Sequence, residues 1–443
     1  MKLWDKGYQI ESAIENFTVG KDREMDIFLA PWDVLGTIAH ITMLTEIGLL
    51  EEDELIVLRA ELQAIYREIQ NSNFTIEAGT EDVHSQVELM LTRKLGEAGK
   101  KVHAGRSRND QVLVDLKLFF LSEIEVLVNL ARKLFATLQG LSETYKDKLL
   151  PGYTHFQVAM PSSFGLWFGA YAESLVDDVH FLLAAWKVAN QNPLGSAAGY
   201  GSSFPLNRTL TTALLGFDTM SYNVVYAQMG RGKTEKLLAF ALSSLGTTLN
   251  KMAADVCLYM SQNFGFLTFP KELTTGSSIM PHKKNPDVWE LIRAKTNRLQ
   301  SLPGEISMIT TNLPSGYHRD LQLVKETIIP ALEDLKSCIN IADYMLGKII
   351  INSMATEGEQ YDYMFSVETV NRLVMEGLPF REAYKQVGEA IARGAYQADR
   401  NLSHTHEGSI GNLCTEEIGK KMDRALSGFD FDKFHQAIER LIG

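Results

Sequence analysis

The sequence predicts a mainly α protein organised around a bundle of long helices, and three stretches carry that expectation. Leu113, Phe120, Leu127, Leu134 and Leu141 recur every seven residues, with Leu116 and Leu130 between them. Leu238, Leu242, Leu245, Leu249, Met252, Val256 and Tyr259 follow one another in alternating steps of four and three. Ile328, Leu332, Leu335, Ile339, Ala342, Leu346 and Ile349 do the same. Such spacing lays one apolar stripe along a helix of roughly 20–30 residues, and stripes of that length are buried by packing on one another. No period-two alternation is long enough for a central sheet.

The elements follow in order. Residues 1–50 are mixed, with turn signals at Gly7, Gly20 and Pro31. Leu55, Leu58, Leu62, Ile65 and Ile69 mark a helix. Residues 71–109 are loop-rich around a short helix near 83–95 and run into His103-Ala-Gly-Arg-Ser-Arg-Asn-Asp-Gln111. The seven-residue seam then starts a helix of about 30 residues, broken only by Glu123 and ended by Pro151-Gly152. Another helix spans 164–189, and 192–205 is a Gly- and Ser-rich loop. Asn285-Pro286 reads as a helix entrance, Asn as N-cap and Pro at the first helical position. From about Glu357 the long stripes give way to shorter helices, the mark of a C-terminal cap. Phe119, Leu237 and Phe240 lie off the main stripes, so they are expected to be buried against other subunits or against small end domains.

Bulk properties narrow the function classes. The 443 residues carry a net charge of −12, which disfavours nonspecific binding to nucleic acid or an anionic membrane. The three cysteines, Cys257, Cys338 and Cys414, are widely spaced and form no CxxC, so neither a disulfide framework nor a zinc site is expected, and a reducing cytoplasm suits them. Early Asp5, Glu11 and Glu15 leave no apolar signal-peptide core, and no uninterrupted apolar run of membrane-spanning length is seen.

Three polar segments lie at helix ends. In the first, Arg106, Ser107, Arg108 and Asn109 can bind a carboxylate, or Ser107 or Asp110 can simply cap a helix. In the second, Gly152-Tyr-Thr-His-Phe-Gln157, His155 is structural unless a carboxylate orients it for acid–base work, and Glu290 is the candidate partner. The third, Thr275 to Arg293, delivers Ser277, Lys283 and Asn285 to the positive end of a helix, a place for an anion. There Lys283, the helix dipole and loop N–H groups can stabilise a serine alkoxide and the charge that develops when a proton leaves the carbon beside a carboxylate. The alternative is a phosphate-binding loop, but no strand–GxxxxGK[ST]–helix arrangement is present.

Together these segments resemble the fumarase/aspartase superfamily. Gly276-Ser-Ser-Ile-Met-Pro-His-Lys-Lys-Asn-Pro286 resembles its signature loop. The Arg106-Ser-Arg-Asn-Asp110 run, the double lysine and Tyr317, Asp320-Leu-Gln322 and Lys325-Glu326 resemble the argininosuccinate lyases within it. The resemblance covers nearly the whole chain. It implies a three-domain fumarase/aspartase-like fold, divided at 1–110, 111–356 and 357–443, whose long central helices form a tetramer core. It implies active sites shared between subunits and reversible elimination of arginine from argininosuccinate to leave fumarate, with no cofactor and no metal. Carried over by position, Ser277 is the base, and His155, oriented by Glu290, is linked to protonating the leaving nitrogen. Thr154, Asn109, Lys283 and Asn285 bind the fumarate-half carboxylates, with Arg108 and Ser107 beside them. Tyr317, Gln322 and Lys325 contact the arginine half, and His84 and Arg231 are further substrate-site positions. Lys325 has independent support, because it falls on the apolar seam of its helix, seven before Leu332.

The chain departs from the family at its N-terminus. Leu3-Trp-Asp-Lys-Gly-Tyr8 and Phe17-Thr-Val-Gly-Lys-Asp22 lack the family's Gly-Gly-Arg and its substrate-touching Ser, with Thr18 or Lys21 as possible substitutes. His282 stands where glutamine is commoner. These departures keep open a sister lyase acting on another fumarate adduct. Retention of Ser277, His155, Lys283 and Glu290 argues against a non-catalytic structural protein on this scaffold.

Overall fold

The computed structural model describes residues 11–354 and 356–443. Its N-terminal part comprises α1 (Ser12–Val19), α2 (Asp22–Asp26), α3 (Ala30–Glu46), α4 (Glu52–Gln70), α5 (Val83–Leu95) and α6 (Glu97–Lys101). The middle carries α7 (Arg108–Thr144), β1 (Leu149–Thr154), β2 (Gln157–Ser163), α8 (Phe164–Ala189), β3 (Gln191–Asn192), α9 (Arg208–Leu214), β4 (Thr219–Met220), α10 (Val224–Met229) and α11 (Lys233–Tyr259). Then come β5 (Leu267–Thr268), α12 (Asp287–Leu299), α13 (Leu302–Thr310), α14 (Leu323–Leu346) and β6 (Ile350–Ile351). Four shorter helices close the chain: α15 (Ser366–Met375), α16 (Phe380–Ala392), α17 (Thr415–Leu426) and α18 (Phe431–Ile442).

The bundle is the packing of α7 against α8 and α14, and of α11 against α8, α12 and α14. Its core is the set of stripes seen in the sequence. Leu113, Phe120, Leu127 and Leu134 of α7 are buried, as are Leu238, Leu242, Leu245 and Leu249 of α11 and Ile328, Leu332, Leu335 and Ile339 of α14. Each fully buried side chain of this size contributes roughly 1.5–3 kcal/mol, so packing outweighs helix propensity here. Polar bridges set the register. Glu123, the break in the α7 seam, pairs with Lys336 of α14 at 2.7 Å. Asp178 of α8 accepts from Ser244 and Thr248 of α11, both at 2.6 Å. Asp255 of α11 accepts from Trp167 at 3.0 Å and Tyr171 at 2.6 Å.

Several local expectations are corrected. The first long helix runs 37 residues and ends at Thr144, before Pro151-Gly152. Those two residues lie instead in β1, which pairs antiparallel with β2. Strands of six and seven residues containing Pro and Gly leave no readable alternation. Phe119 is buried within the chain, whereas Leu237 and Phe240 are exposed. The helical run Ala13–Glu46 is long and apolar enough to cross a membrane by composition, but 72% of its most apolar 18-residue window is buried inside the protein. At the C-terminal end, α15 and α16 pack on each other around Val370, Ala383 and Val387. By contrast, α17 returns to α8 and α7, and α18 to α3 and α9.

Candidate active site

A cavity of about 310 Å³ opens where five stretches of the chain converge. Helix α2 supplies Asp22 and Asp26, and the turn into α5 supplies Glu81, Asp82 and His84. The start of α7 supplies Ser107, Arg108 and Asn109; Arg231 precedes α11; and Tyr317, Arg319, Gln322 and Lys325 lead into α14. Of the helix starts here, those of α5 and α7 carry side-chain caps, Asp82 and Ser107, which satisfy backbone N–H groups at the edge of the apolar bundle.

The start of α7 shows how the sequence builds this wall. Ser107 is the N-cap, its hydroxyl accepting from Asn109 N–H, and Asp110 completes the capping box through Ser107 N–H at 2.8 Å. The second Asp110 oxygen accepts from Gly195 and Ala197 N–H at 3.0 and 2.8 Å, tying the loop after β3 to this helix end. Burial pushes the Asp110 carboxyl up to about 6 in spite of these bonds. Ser107 is thus both a cap and a cavity residue. Arg108 reaches the other way, pairing with Asp82 and donating to Ser85 at 2.9 Å.

The remaining cations of the cavity are also paired. Arg231 donates to Glu235 at 2.9 Å and to the Leu321 carbonyl at 3.0 Å. Arg319 donates to Glu81 at 2.7 Å. Lys325 is only 3 % exposed and contacts both Asp22 and Asp26. Burial alone would lower the Lys325 pKa, but the two carboxylates outweigh it and hold the ammonium charged. His103 is different: burial, with Arg106 and Arg108 nearby, brings it down to about 4 and keeps it neutral. His84 is buried at the cavity edge, its Nδ1 bonded to Asp33 at 2.8 Å and 3.4 Å from Asp115.

The second group of candidate residues lies elsewhere. Thr154 and His155 sit at the tip of the β1–β2 hairpin, both exposed. His155 and Phe156 form its two-residue turn with φ of 53° and 58°. That is the geometry of a type I′ turn, which side chains other than Gly and Asn adopt at a cost. Ser277, Lys283 and Asn285 lie on a loop closed at its base, where Asn285 N–H donates to the Thr275 carbonyl at 2.9 Å. Ser277 Oγ accepts from the N–H groups of Ile279 and Met280 at 3.4 and 3.2 Å. Glu290 is exposed on α12, 3.8 Å from Arg293.

Asn285 is not the cap of α12. Pro286 holds that position, and the Asn285 amide donates to Thr275 Oγ1 and the Gly276 carbonyl, cross-linking the loop base. Among the described residues, no hydrogen bond or ion pair joins His155 to Glu290, or either of them to the cavity. One chain therefore brings together Ser107, Arg108, Asn109, Arg231, Tyr317, Gln322, Lys325 and His84, and holds Ser277, His155, Glu290, Lys283, Thr154 and Asn285 apart from them.

Sequence reasoning missed Asp22, Asp26, Glu81, Asp82, His103 and Arg319. At the atypical N-terminus it pointed to Thr18 or Lys21, but the Thr18 hydroxyl bonds its own helix, to the Ile14 and Glu15 carbonyls. The available signal was the spacing of Asp22 and Asp26, four apart on one helix face. Residues 3–8, the other part of that departure, lie outside the described residues.

Comparison with known proteins places this arrangement. A family model described as a lyase matches residues 6–300. The argininosuccinate lyase of Phocaeicola vulgatus (strain ATCC 8482) is 61% identical over 442 residues, covering all of this chain and 99% of that protein. The argininosuccinate lyase of Thermotoga neapolitana is 38% identical over 392 residues, covering 88% of this chain and 98% of that protein. Among solved structures, an EDDS lyase variant with bound fumarate superposes with a TM-score of 0.73 at 20% identity, covering 98% of this chain and 96% of that one. A class II fumarase from Schistosoma mansoni has a TM-score of 0.73 at 15% identity, with 93% and 95% covered. These last two similarities carry the fold: mainly α, of the fumarase type.

Proposed function

The chain belongs to the argininosuccinate lyase family of the fumarase/aspartase superfamily, and from that premise we infer that it splits argininosuccinate reversibly into arginine and fumarate. The observation that carries this is identity of about 60% to curated argininosuccinate lyases along the whole chain.

The elimination needs a base, a stabiliser of the developing charge and a proton donor. Ser277 is the base. Its oxygen already accepts from two backbone N–H groups, the arrangement that stabilises an alkoxide. It removes the proton from the carbon beside the carboxylate. Lys283, Asn285 and the N-terminal end of α12 meet the negative charge that collects on that carboxylate. The carbon–nitrogen bond then breaks, its electron pair leaves with the guanidino nitrogen, and His155, oriented by Glu290, is tied to protonating it. Thr154 and Asn109 hold the fumarate half, with Arg108 and Ser107 beside them. Tyr317, Gln322 and Lys325 hold the arginine half, with His84 and Arg231 behind them. No step calls for a cofactor.

The two groups of residues meet across subunits in this reading. The enzyme is a homotetramer with a shared helical core, a division near residues 110 and 357, and sites assembled from several chains. The separation of the cavity from the Ser277 loop and the His155 turn supports it, as do exposed Leu237 and Phe240 on the central helix α11. We assign the enzyme to the cytoplasm, in keeping with its three free, widely spaced cysteines.

The decisive assay mixes the protein with argininosuccinate and follows fumarate by its ultraviolet absorbance. Fumarate release is expected. Turnover only with aspartate, malate or adenylosuccinate would overturn the assignment.

A further inference from the structure

The cavity holds a charge imbalance that the chemistry above leaves unused. The Lys325 ammonium contacts Asp22 and Asp26 together, so one cation faces two carboxylates. Its neighbouring cations are each paired elsewhere, and Arg231 adds only the smallest pull on Asp22. Arg231 is matched by Glu235, both buried. Arg108 is matched by Asp82, and Arg319 by Glu81.

The two carboxylates are not equivalent. Asp26 is 1 % exposed, and its second oxygen accepts from Val83 N–H at 3.3 Å. The Asp22 side chain is 13 % exposed and borders the open cavity. Its position is built by tertiary contacts. Gln322 donates to the Thr18 and Val19 carbonyls at 3.1 and 3.0 Å, clamping the end of α1 against the start of α14. Gly20, at φ 53°, turns the chain there into α2.

We propose that Asp22 is a specificity-determining residue, its carboxylate accepting the α-ammonium of the arginine half while Lys325 meets the α-carboxylate. The proposal rests on the argininosuccinate reading. A buried surplus carboxylate is stabilised by a cation that arrives with the ligand, and a neighbouring ammonium completes the complement of a zwitterion. The guanidino group is the other cation of the substrate, but it carries the bond that breaks and belongs beside the fumarate half. Burial, with a smaller contribution from Asp26, pushes the Asp22 carboxyl up to about 6 against the pull of Lys325. The consequence is selection for a free α-amine: an N-acylated or deaminated arginine half is rejected.

Calorimetric binding of L-arginine and of 5-guanidinopentanoate, the same molecule without the amine, tests this on the intact protein. The wild type should prefer arginine by on the order of 10- to 100-fold, the worth of one charge-assisted hydrogen bond. Asp22→Asn and Asp22→Ser should bring the ratio to within about threefold, and Asp22→Glu should keep most of it. The ratio is internal to each variant, so a partly destabilised protein still reports it. Wild-type-like preference in both Asp22→Asn and Asp22→Ser, or no preference in the wild type, would overturn the proposal. The measurement does not depend on turnover. Loss of preference in a protein that releases no fumarate would sink the reaction assignment and leave Asp22 standing. Fumarate release with an unchanged ratio would do the reverse.

Discussion

The cavity at the helix starts and the Ser277 loop with the His155 turn, the two groups of residues on which the proposed reaction draws, are built in opposite ways. In the cavity every cation described has an acidic partner, and Lys325, Asp26 and Arg231 are buried. On the loop, the hairpin tip and the start of α12, Lys283, His155 and Glu290 are exposed, and the bonds that exist are local ones. The first half is completed by its own chain and does double duty as structure. Among the described residues, the second makes contacts local to its own segments. Removing a side chain should therefore cost stability in one half and catalysis in the other.

The largest effect is expected at Ser277. Ser277→Ala should lower kcat by at least about 10³-fold, with melting temperature and oligomer size unchanged, since it deletes the base of the proposed reaction without disturbing a core. A rate within tenfold of wild type would remove Ser277 from that role.

Next comes a matched pair of lysines. Lys325→Met leaves two buried carboxylates without their cation and should destabilise the fold by about 3–5 kcal/mol, read by denaturant unfolding. Lys283→Met, on an exposed loop, should change stability by less than about 0.5 kcal/mol while kcat falls. Equal losses of stability in both would erase the contrast between the halves.

Subunit mixing addresses the same division from another side. Ser277→Ala and His155→Asn proteins, each nearly inactive, should regain measurable activity when their subunits are exchanged. No recovery after demonstrated exchange would mean that both residues act within one chain.

The smallest effect is one of pH. The Asp22 carboxyl is raised from 3.8 to about 6 in the folded protein. The folded state thus holds that proton more tightly than the unfolded chain. The stability it contributes is full below about pH 4 and is lost as pH rises through 6. Asp22→Asn should therefore gain stability relative to wild type across that window, measured as the difference in melting temperature. Arginine binding should follow the opposite course in the wild type, strengthening as Asp22 ionises. A Ser277→Ala protein should track the wild type in both.

How much of this was legible in the sequence varied with the range of the interaction. Helices whose burial repeats every three to four residues were read nearly to their ends, as with Val83–Leu95 and Phe164–Ala189. The position of Lys325 on an apolar seam was a visible sign of a buried ion pair, because a buried lysine requires a partner. The partner was not visible: Asp22 and Asp26 come to it through the Gln322 clamp, some 300 residues away in sequence. The β1–β2 hairpin left no readable signal because its strands carry Pro and Gly and lack a regular alternation. Asn285 was read as a cap because Asn-Pro is a common helix entrance, whereas the closed loop gave its amide a competing pair of acceptors.

The Thr275–Arg293 stretch shows where the boundary falls. Its composition alone specified a serine, a lysine and a helix entrance suited to an anion, since those chemistries belong to the side chains and the local backbone. The sequence likewise determined the long helices, because their stripes are a property of spacing. Only the tertiary structure decided that the cavity at the helix starts closes within one chain and draws its acids from α2, while Ser277 and His155 stay outside it. That outcome depends on contacts between segments hundreds of residues apart, which no local pattern encodes.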